Sequence, residues 1–314
     1  MHMVVGITGA SGFIGSALVE RHIAAGDVVR LLTRSPRAIM SPRTVAMCGD
    51  LATPDGNLGR FVDGLDVLYH CAGEVRDPSR MRAVNVDGTR ALLHLADGRI
   101  GRWVQLSSAG VYGRHRDGAV VEETPLAPVG LYEETKAEAD ALVLEAARER
   151  RLASAVILRP SIVFGEGMPN QSIFQMARAI DRGFFFFIGA RGASANYVHR
   201  SNVVDALVLC GTSPEADTRV YNLSDWCTIE DFAGAIADAL GRRRPSLRLP
   251  EPPVRAAVRA IGRLTELPLT ESRVDALVNR SRYPIARIQQ ELGYGVAVPI
   301  AEGITRMLTA RQAA

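Results

Sequence analysis

No two cysteines of this chain stand at C-x-x-C spacing; there are four, Cys48, Cys71, Cys210 and Cys227. That excludes a dense disulfide framework and a cysteine zinc site, and the four read as reduced, mostly structural thiols. Histidines at zinc spacing are missing too, so no metal is expected. No block of like charge runs long, and the formal net charge of +3 gives nucleic acid no electrostatic footprint. Arg242-Arg243-Arg244 is the densest basic cluster and reads as a solvated loop after a helix. No apolar stretch is long enough for a membrane span; Phe184-Phe185-Phe186-Phe187-Ile188 falls far short. The first strand-like run begins at Val4, which leaves no room for a leader, so a cytoplasmic protein is expected. With 47% hydrophobic and 23% charged residues over 314 positions, the chain can bury a large core, and disorder is excluded.

What is present starts at the N-terminus. Val4-Val5-Gly6-Ile7 is apolar and partly β-branched, as a strand buried on both faces is. Gly9, Gly12 and Gly15 follow at three-residue spacing around Ser11, Phe13 and Ile14, and a helical pattern then begins. Gly9 and Gly12 let the backbone turn tightly and approach a phosphate, while Gly15 lets the new helix pack closely. The first-turn N–H groups of that helix then point at an anion. An ordinary strand-to-helix turn that binds nothing is the competing reading; the strand–turn–helix context weighs against it.

The spacing G-x-x-G-x-x-G within Thr8-Gly9-Ala10-Ser11-Gly12-Phe13-Ile14-Gly15 closely resembles the cofactor loop of the extended short-chain dehydrogenases/reductases, also called the NAD-dependent epimerase/dehydratase family. The resemblance implies an α/β, Rossmann-type doubly wound parallel sheet with a smaller, partly interleaved C-terminal lobe. It implies a dinucleotide at this loop, with Asp50 and Leu51 beside the adenine. Cys71, Ala72 and Gly73, at the end of the strand through His70, would pass along the pyrophosphate and ribose. Which dinucleotide is decided at the end of the second strand, where an acid takes the ribose hydroxyl and an arginine takes a phosphate. The sequence there is Thr33-Arg34-Ser35-Pro36-Arg37, so NADP is expected ahead of NAD, held by Arg34 first and Arg37 second.

A fifth strand, Arg102 to Leu106, delivers Ser107-Ser108-Ala109-Gly110. After a loop rich in proline and glycine, Leu131 to about Ala147 reads as a helix, with Tyr132 and Lys136 four apart on one face. Taken alone, such a pair is commonplace. Its order after the glycine loop and the serine strand end is what gives it meaning. Hydride transfer at a carbon requires its oxygen to gain or lose a proton, and a phenol of pKa near 10 is a poor base unless a neighbouring ammonium favours the phenolate. Tyr132 is therefore the expected proton-transfer residue, with Lys136 lowering its pKa and holding ribose hydroxyls. Ser108 would orient the substrate oxygen.

Within the family, dehydratases carry acidic residues directly after the catalytic serine or threonine; Ala109 and Gly110 transfer no proton, so dehydration is disfavoured. A nucleotide-sugar epimerase or keto-sugar reductase is the first expectation. A carbonyl reductase of dihydroflavonol or hydroxysteroid type is the second, and a non-catalytic NADP-binding regulator the third. Leu158-Arg159-Pro160-Ser161-Ile162-Val163-Phe164-Gly165 resembles the family segment flanking the nicotinamide, which adds Pro160, Ser161 and Val163 to the cofactor residues. Substrate-side candidates are Glu74, Asn85, Ser107, Phe164, His199 and Arg273, with Arg280 and Arg282 as further basic residues. His199-Arg200-Ser201-Asn202-Val203 stands where similar proteins carry His-Val-Asp-Asp-Val. The expected division is residues 1–165 for the dinucleotide domain with 196–222 returning to it, and 166–195 with 223–314 for the substrate lobe. A homodimer is expected from the resemblance.

Overall fold

In the computed structural model, which describes residues 2–34, 42–261 and 269–312, the chain alternates strand and helix from its start. Val4–Thr8 (β1) leads into Phe13–Ala24 (α1), then Val28–Thr33 (β2) and Thr44–Cys48 (β3). Gly56–Val62 (α2), Leu65–His70 (β4), Pro78–Arg82 (α3), Gly88–Ala96 (α4), Ile100–Leu106 (β5), Leu131–Arg148 (α5) and Ala155–Pro160 (β6) continue the pattern. A short second part follows: Ile162–Phe164 (β7), Ser172–Asp181 (α6), Phe187–Ile188 (β8) and Ser194–His199 (β9). Arg200–Thr212 (α7) and Arg219–Leu223 (β10) come next. Asp225–Thr228 (β11), Ile229–Ala239 (α8), Arg248–Leu249 (β12), Glu251–Ile261 (α9), Glu271–Val278 (α10), Ala286–Leu292 (α11) and Ile300–Gln312 (α12) complete it.

Seven strands form one parallel sheet in the order β10-β6-β5-β4-β1-β2-β3. The order reverses between β1 and β4, the place where a doubly wound sheet opens a crevice at its carboxyl edge. Because both faces are covered, neighbouring residues of one strand serve different cores: Val156 and Leu158 pack with Leu18, Val203 and Leu207, while Ile157 packs with Trp103, Phe61 and Val143. That is why these strands read as continuous apolar runs and not as alternation.

The division of the chain differs from expectation in two places. β9 pairs with β7 on one side and β11 on the other in a separate three-stranded sheet, so the return to the main sheet begins at α7 and not at residue 196. Ile288, Leu292 and Tyr294, in and just after α11, are buried in the main-sheet core, which places this late segment with the dinucleotide domain. The smaller lobe has its own core of Phe164, Phe174, Phe232, Ile236 and Ile304. Thr228 opens α8 with a reciprocal cap, accepting from the Asp231 N–H at 3.1 Å and donating to its carboxylate at 2.5 Å. Among the described residues no helix is long and apolar enough to cross a membrane.

Candidate active site

The glycine turn is explained by contact. Gly9 has φ +67°, and a Cβ on it would stand 2.7 Å from the Ala72 nitrogen. A Cβ on Gly15 would meet the Gly9 carbonyl oxygen at 2.2 Å, so its smallness lets the first turn of α1 sit on the loop itself. Gly12 differs: a Cβ there would meet only that same carbonyl, at 3.1 Å, and otherwise open space. Gly12 caps α1 without any side-chain hydrogen bond, and no acid stands in the helix's first turn. Bare N–H groups, a glycine whose outer side is open and a helix dipole together fit the diphosphate of a dinucleotide.

Behind the turn, His70 is fully partnered. Its Nδ1 lies 2.7 Å from the Thr8 hydroxyl and its Nε2 3.0 Å from that of Thr89. Thr8 Oγ1 also accepts from the Ala72 N–H, which locks β1 to the strand end that carries Cys71, Ala72 and Gly73. Burial pulls the His70 pKa down to about 3. The stability this neutral ring confers is whole above pH 6.5; it is lost as pH falls from there toward about 3, since the unfolded chain takes up a proton that the fold refuses. Unfolding free energies from urea titrations are expected to decline over that window by up to about 1.4 kcal/mol per pH unit beyond the decline of a His70→Gln variant. Parallel pH curves for the two proteins would contradict this. No group of three or more potential metal ligands occurs among the described residues.

At the β3 end, the Asp50 carboxylate accepts from Ala52 N–H at 3.0 Å and pairs with Arg80 at 2.9 Å, which outweighs burial and holds its pKa below the usual range. Arg34 is exposed and close enough to contribute to that lowering. Leu51 is buried. Arg37 lies outside the described residues.

Ser108 ends β5 and accepts from the Gly110 N–H at 3.1 Å, capping a single 3-10 turn over Ala109–Tyr112. Lys136, buried on α5, donates to the Leu106 carbonyl at 2.7 Å, two residues before Ser108. Burial lowers its pKa, and Asp140 one turn further along α5 opposes that lowering. Tyr132 is half-buried at the start of the same helix. Its phenol differs from expectation: burial pushes its pKa up to about 12, and the Glu133 and Asp140 charges push the same way. Lys136, buried and engaged with the Leu106 carbonyl, does not offset the desolvation of the phenolate.

Ser108, Pro160, Ser161 and Arg273 line a cavity of about 1170 Å³ between the sheet edge and the smaller lobe. Other substrate candidates do not face it. Phe164 and His199 are buried in the lobe core, their rings edge-on at 5.5 Å; His199 Nδ1 accepts from the Ser201 N–H and caps α7. The Phe164 assignment fails because its ring is fully buried in the lobe core, against the His199 ring and the backbone at Gly303, and does not line the cavity. Ser107 is buried and donates to Asp140 at 2.8 Å. Asn85 is buried in a π-helical turn, its amide clasping both backbone groups of Glu74 and donating to Thr135 at 3.0 Å. It ties the Glu74 turn to the start of α5. The Glu74 carboxylate accepts from three backbone N–H groups of the next turn. Arg280 and Arg282 are engaged with the Ala190 carbonyl and the Trp226 ring.

Two features were missed from the sequence. Glu133 lines the cavity beside Ser108, its Cγ only 3.0 Å from where a Gly110 side chain would begin. A carboxylate-bearing residue of the next helix thus stands beside Gly110, one of the two positions that lack one; one-face spacing arguments about α5 pass over a residue adjacent to Tyr132. The second is a buried chain behind the site. Ser107 and Arg159 converge on Asp140, Arg159 reaches the Tyr112 hydroxyl at 3.1 Å, and that hydroxyl donates to Asn222 at 2.7 Å. Arg159 stood in the Leu-Arg-Pro segment and Asp140 at four residues from Lys136; only the sheet order brings them together.

A family description, NAD dependent epimerase/dehydratase, matches residues 5–224. A 3 beta-hydroxysteroid dehydrogenase/Delta 5-->4-isomerase of Mycobacterium tuberculosis is 29% identical over 333 residues, spanning 96% of this chain and 88% of its own. A 4-hydroxy-2-methyl-3-oxo-4-farnesyl-3,4-dihydroquinoline-1-oxide ketoreductase of Stigmatella aurantiaca is 28% identical, spanning 95% and 93%. In fold, the chain matches MoeE5, solved in complex with UDP-glucose and NAD, at a TM-score of 0.75 over 98% of each chain and 24% identity.

Proposed function

Because this chain belongs to the NAD-dependent epimerase/dehydratase family, an enzyme family, we propose that it interconverts a secondary alcohol and a ketone on a bulky, largely apolar carbonyl compound. The observation that carries this reading is the wall facing Ser108. Phe184, Phe185, Phe186, Ile188, Met176, Ile162 and Leu277 dominate it, and Phe184 is 76% exposed, a large ring left to water unless a ligand covers it. The two relatives above are, by name, a hydroxysteroid dehydrogenase and a ketoreductase of a farnesylated ring, which supports the same choice over the nucleotide-sugar reading.

In this proposal Ser108 donates to the substrate oxygen, Tyr132 gives or takes its proton, and Lys136 is the cation behind the phenol. The dinucleotide, when bound, supplies or accepts the hydride. We assign NADP ahead of NAD on Arg34, with Arg37 as its sequence neighbour. The nucleotide-sugar reading keeps one support: Arg178, Arg182 and Arg273 also line the cavity, and their charge suits a diphosphate.

One panel tests both. Turnover is followed with NADPH and NADH on a 3-ketosteroid, a long-chain 3-oxo compound, UDP-glucose and a dTDP-keto-sugar, alongside binding of bare UDP. The expected result is NADPH-linked reduction of an apolar ketone without saturable UDP binding. Saturable UDP binding with turnover of a sugar nucleotide overturns the first reading in favour of the second.

A further inference from the structure

The first turn of α7 carries a cation where a helix tolerates one least. Arg200 is the first residue of α7 behind the cap His199, at the positive end of the helix dipole. No acid stands in the first turn of α7 or of α1. These two helices lie side by side in the same direction. The Arg200 guanidinium carbon is 5.0 Å from the centre of the Phe13 ring at their starts, and Arg21 pairs with Asp205 at 2.5 Å further along both. Their positive ends therefore meet at the sheet's carboxyl edge, and Phe13 is the residue directly after Gly12.

Among the described residues the side chain has no ion pair. A Cβ on Gly165, in the turn after β7, would lie 3.4 Å from the Arg200 Cβ, so Arg200 sits between that turn and the glycine loop. The nearby Glu166 carboxylate is 3.3 Å from His199 Nε2. Among the described residues no carboxylate pairs with Arg200, whose recorded contact is the Phe13 ring. Two helix N-termini and a half-exposed guanidinium without an ion pair converge there, the nearby Glu166 carboxylate lying against His199. Such a place is electrostatically unfavourable until an anion arrives.

We infer that Arg200 is a diphosphate-binding residue of the dinucleotide site, reaching the anion on the glycine turn from the α7 side. This rests on the dinucleotide reading of that turn. It adds a charge that the turn alone lacks, at a position where similar proteins carry valine.

The test compares full-length wild type with Arg200→Gln and Arg200→Lys. NADPH affinity is read by nicotinamide fluorescence; ADP, 2′-AMP and UDP are read by calorimetry. Arg200→Gln is expected to weaken NADPH and ADP by about tenfold to a hundredfold, the worth of a charged hydrogen bond. It should leave 2′-AMP, which has no diphosphate, unchanged. Arg200→Lys keeps the charge and is expected to retain most of the affinity. Unchanged NADPH and ADP binding in Arg200→Gln overturns the assignment. So does an equal loss for 2′-AMP, which would mark a packing role, and so does a loss confined to UDP, which would place the charge on the substrate side. Wild type that binds neither NADPH nor NADH would instead remove the dinucleotide reading, and the assignment with it.

Discussion

Tyr132→Phe is expected to lower turnover by about 10²- to 10⁴-fold, the usual contribution of a positioned acid or base, and to leave NADPH affinity nearly unchanged. The substitution deletes one oxygen from a half-buried ring and leaves the helix start intact, since the Tyr132 backbone carbonyl still accepts from Thr135. With its pKa pushed up to about 12, the phenol is fully protonated near neutrality. It is therefore ready as an acid toward a forming alkoxide, whereas the reverse direction needs a phenolate. Reductive turnover should be level across neutral pH, and oxidative turnover should climb as pH rises. Steady-state rates in both directions, with a fluorescence titration of NADPH, check this. A phenylalanine variant keeping about a tenth of wild-type turnover would remove Tyr132 from the role.

How far this site was legible in the sequence depends on distance along the chain. The glycine turn is local: strand, three glycines and helix lie within one run, and each glycine's reason appears in contacts with Gly9, Ala72 or open space. Tyr132 and Lys136 are one helical turn apart, so their shared face follows from spacing alone. What spacing does not carry is environment. The sign of the Tyr132 shift was misjudged because burial and the charges of Glu133 and Asp140 come from packing. Phe164 and His199 looked substrate-facing because they sit in family-like segments. Which way β7 turns is fixed by its pairing with β9, thirty-five residues on, and that pairing sends both rings into the lobe core. Ser107 was lost for the same reason: adjacent strand residues face opposite ways, so Ser108 opens to the cavity while Ser107 turns to Asp140.

Asp140→Ala is expected to destabilise the fold by about 3–5 kcal/mol, because it leaves a buried guanidinium without its carboxylate. Side-chain exposures of Arg159 and Asp140 are 4% and 1%, and the pair sits 3.1 Å apart, so water cannot replace the missing charge. A double variant, Asp140→Leu with Arg159→Met, should recover most of the loss, since removing both charges removes both desolvation costs. Unfolding free energies of wild type, Asp140→Leu, Arg159→Met and the double variant, from urea titrations, measure the coupling. If the two single losses simply add in the double variant, the pair is not a unit. Activity should separate from stability here. Asp140 also opposes the burial that lowers the Lys136 pKa, and one of its oxygens has no hydrogen-bond partner. That carboxylate stands one helical turn from Lys136, and Ser107 and Arg159 bond only its other oxygen. The double variant, refolded to near wild-type stability, should therefore still be slow, and slowest where Lys136 must stay charged, toward high pH. A stable double variant with wild-type rates would confine Asp140 to architecture and leave Lys136 to hold its proton unaided.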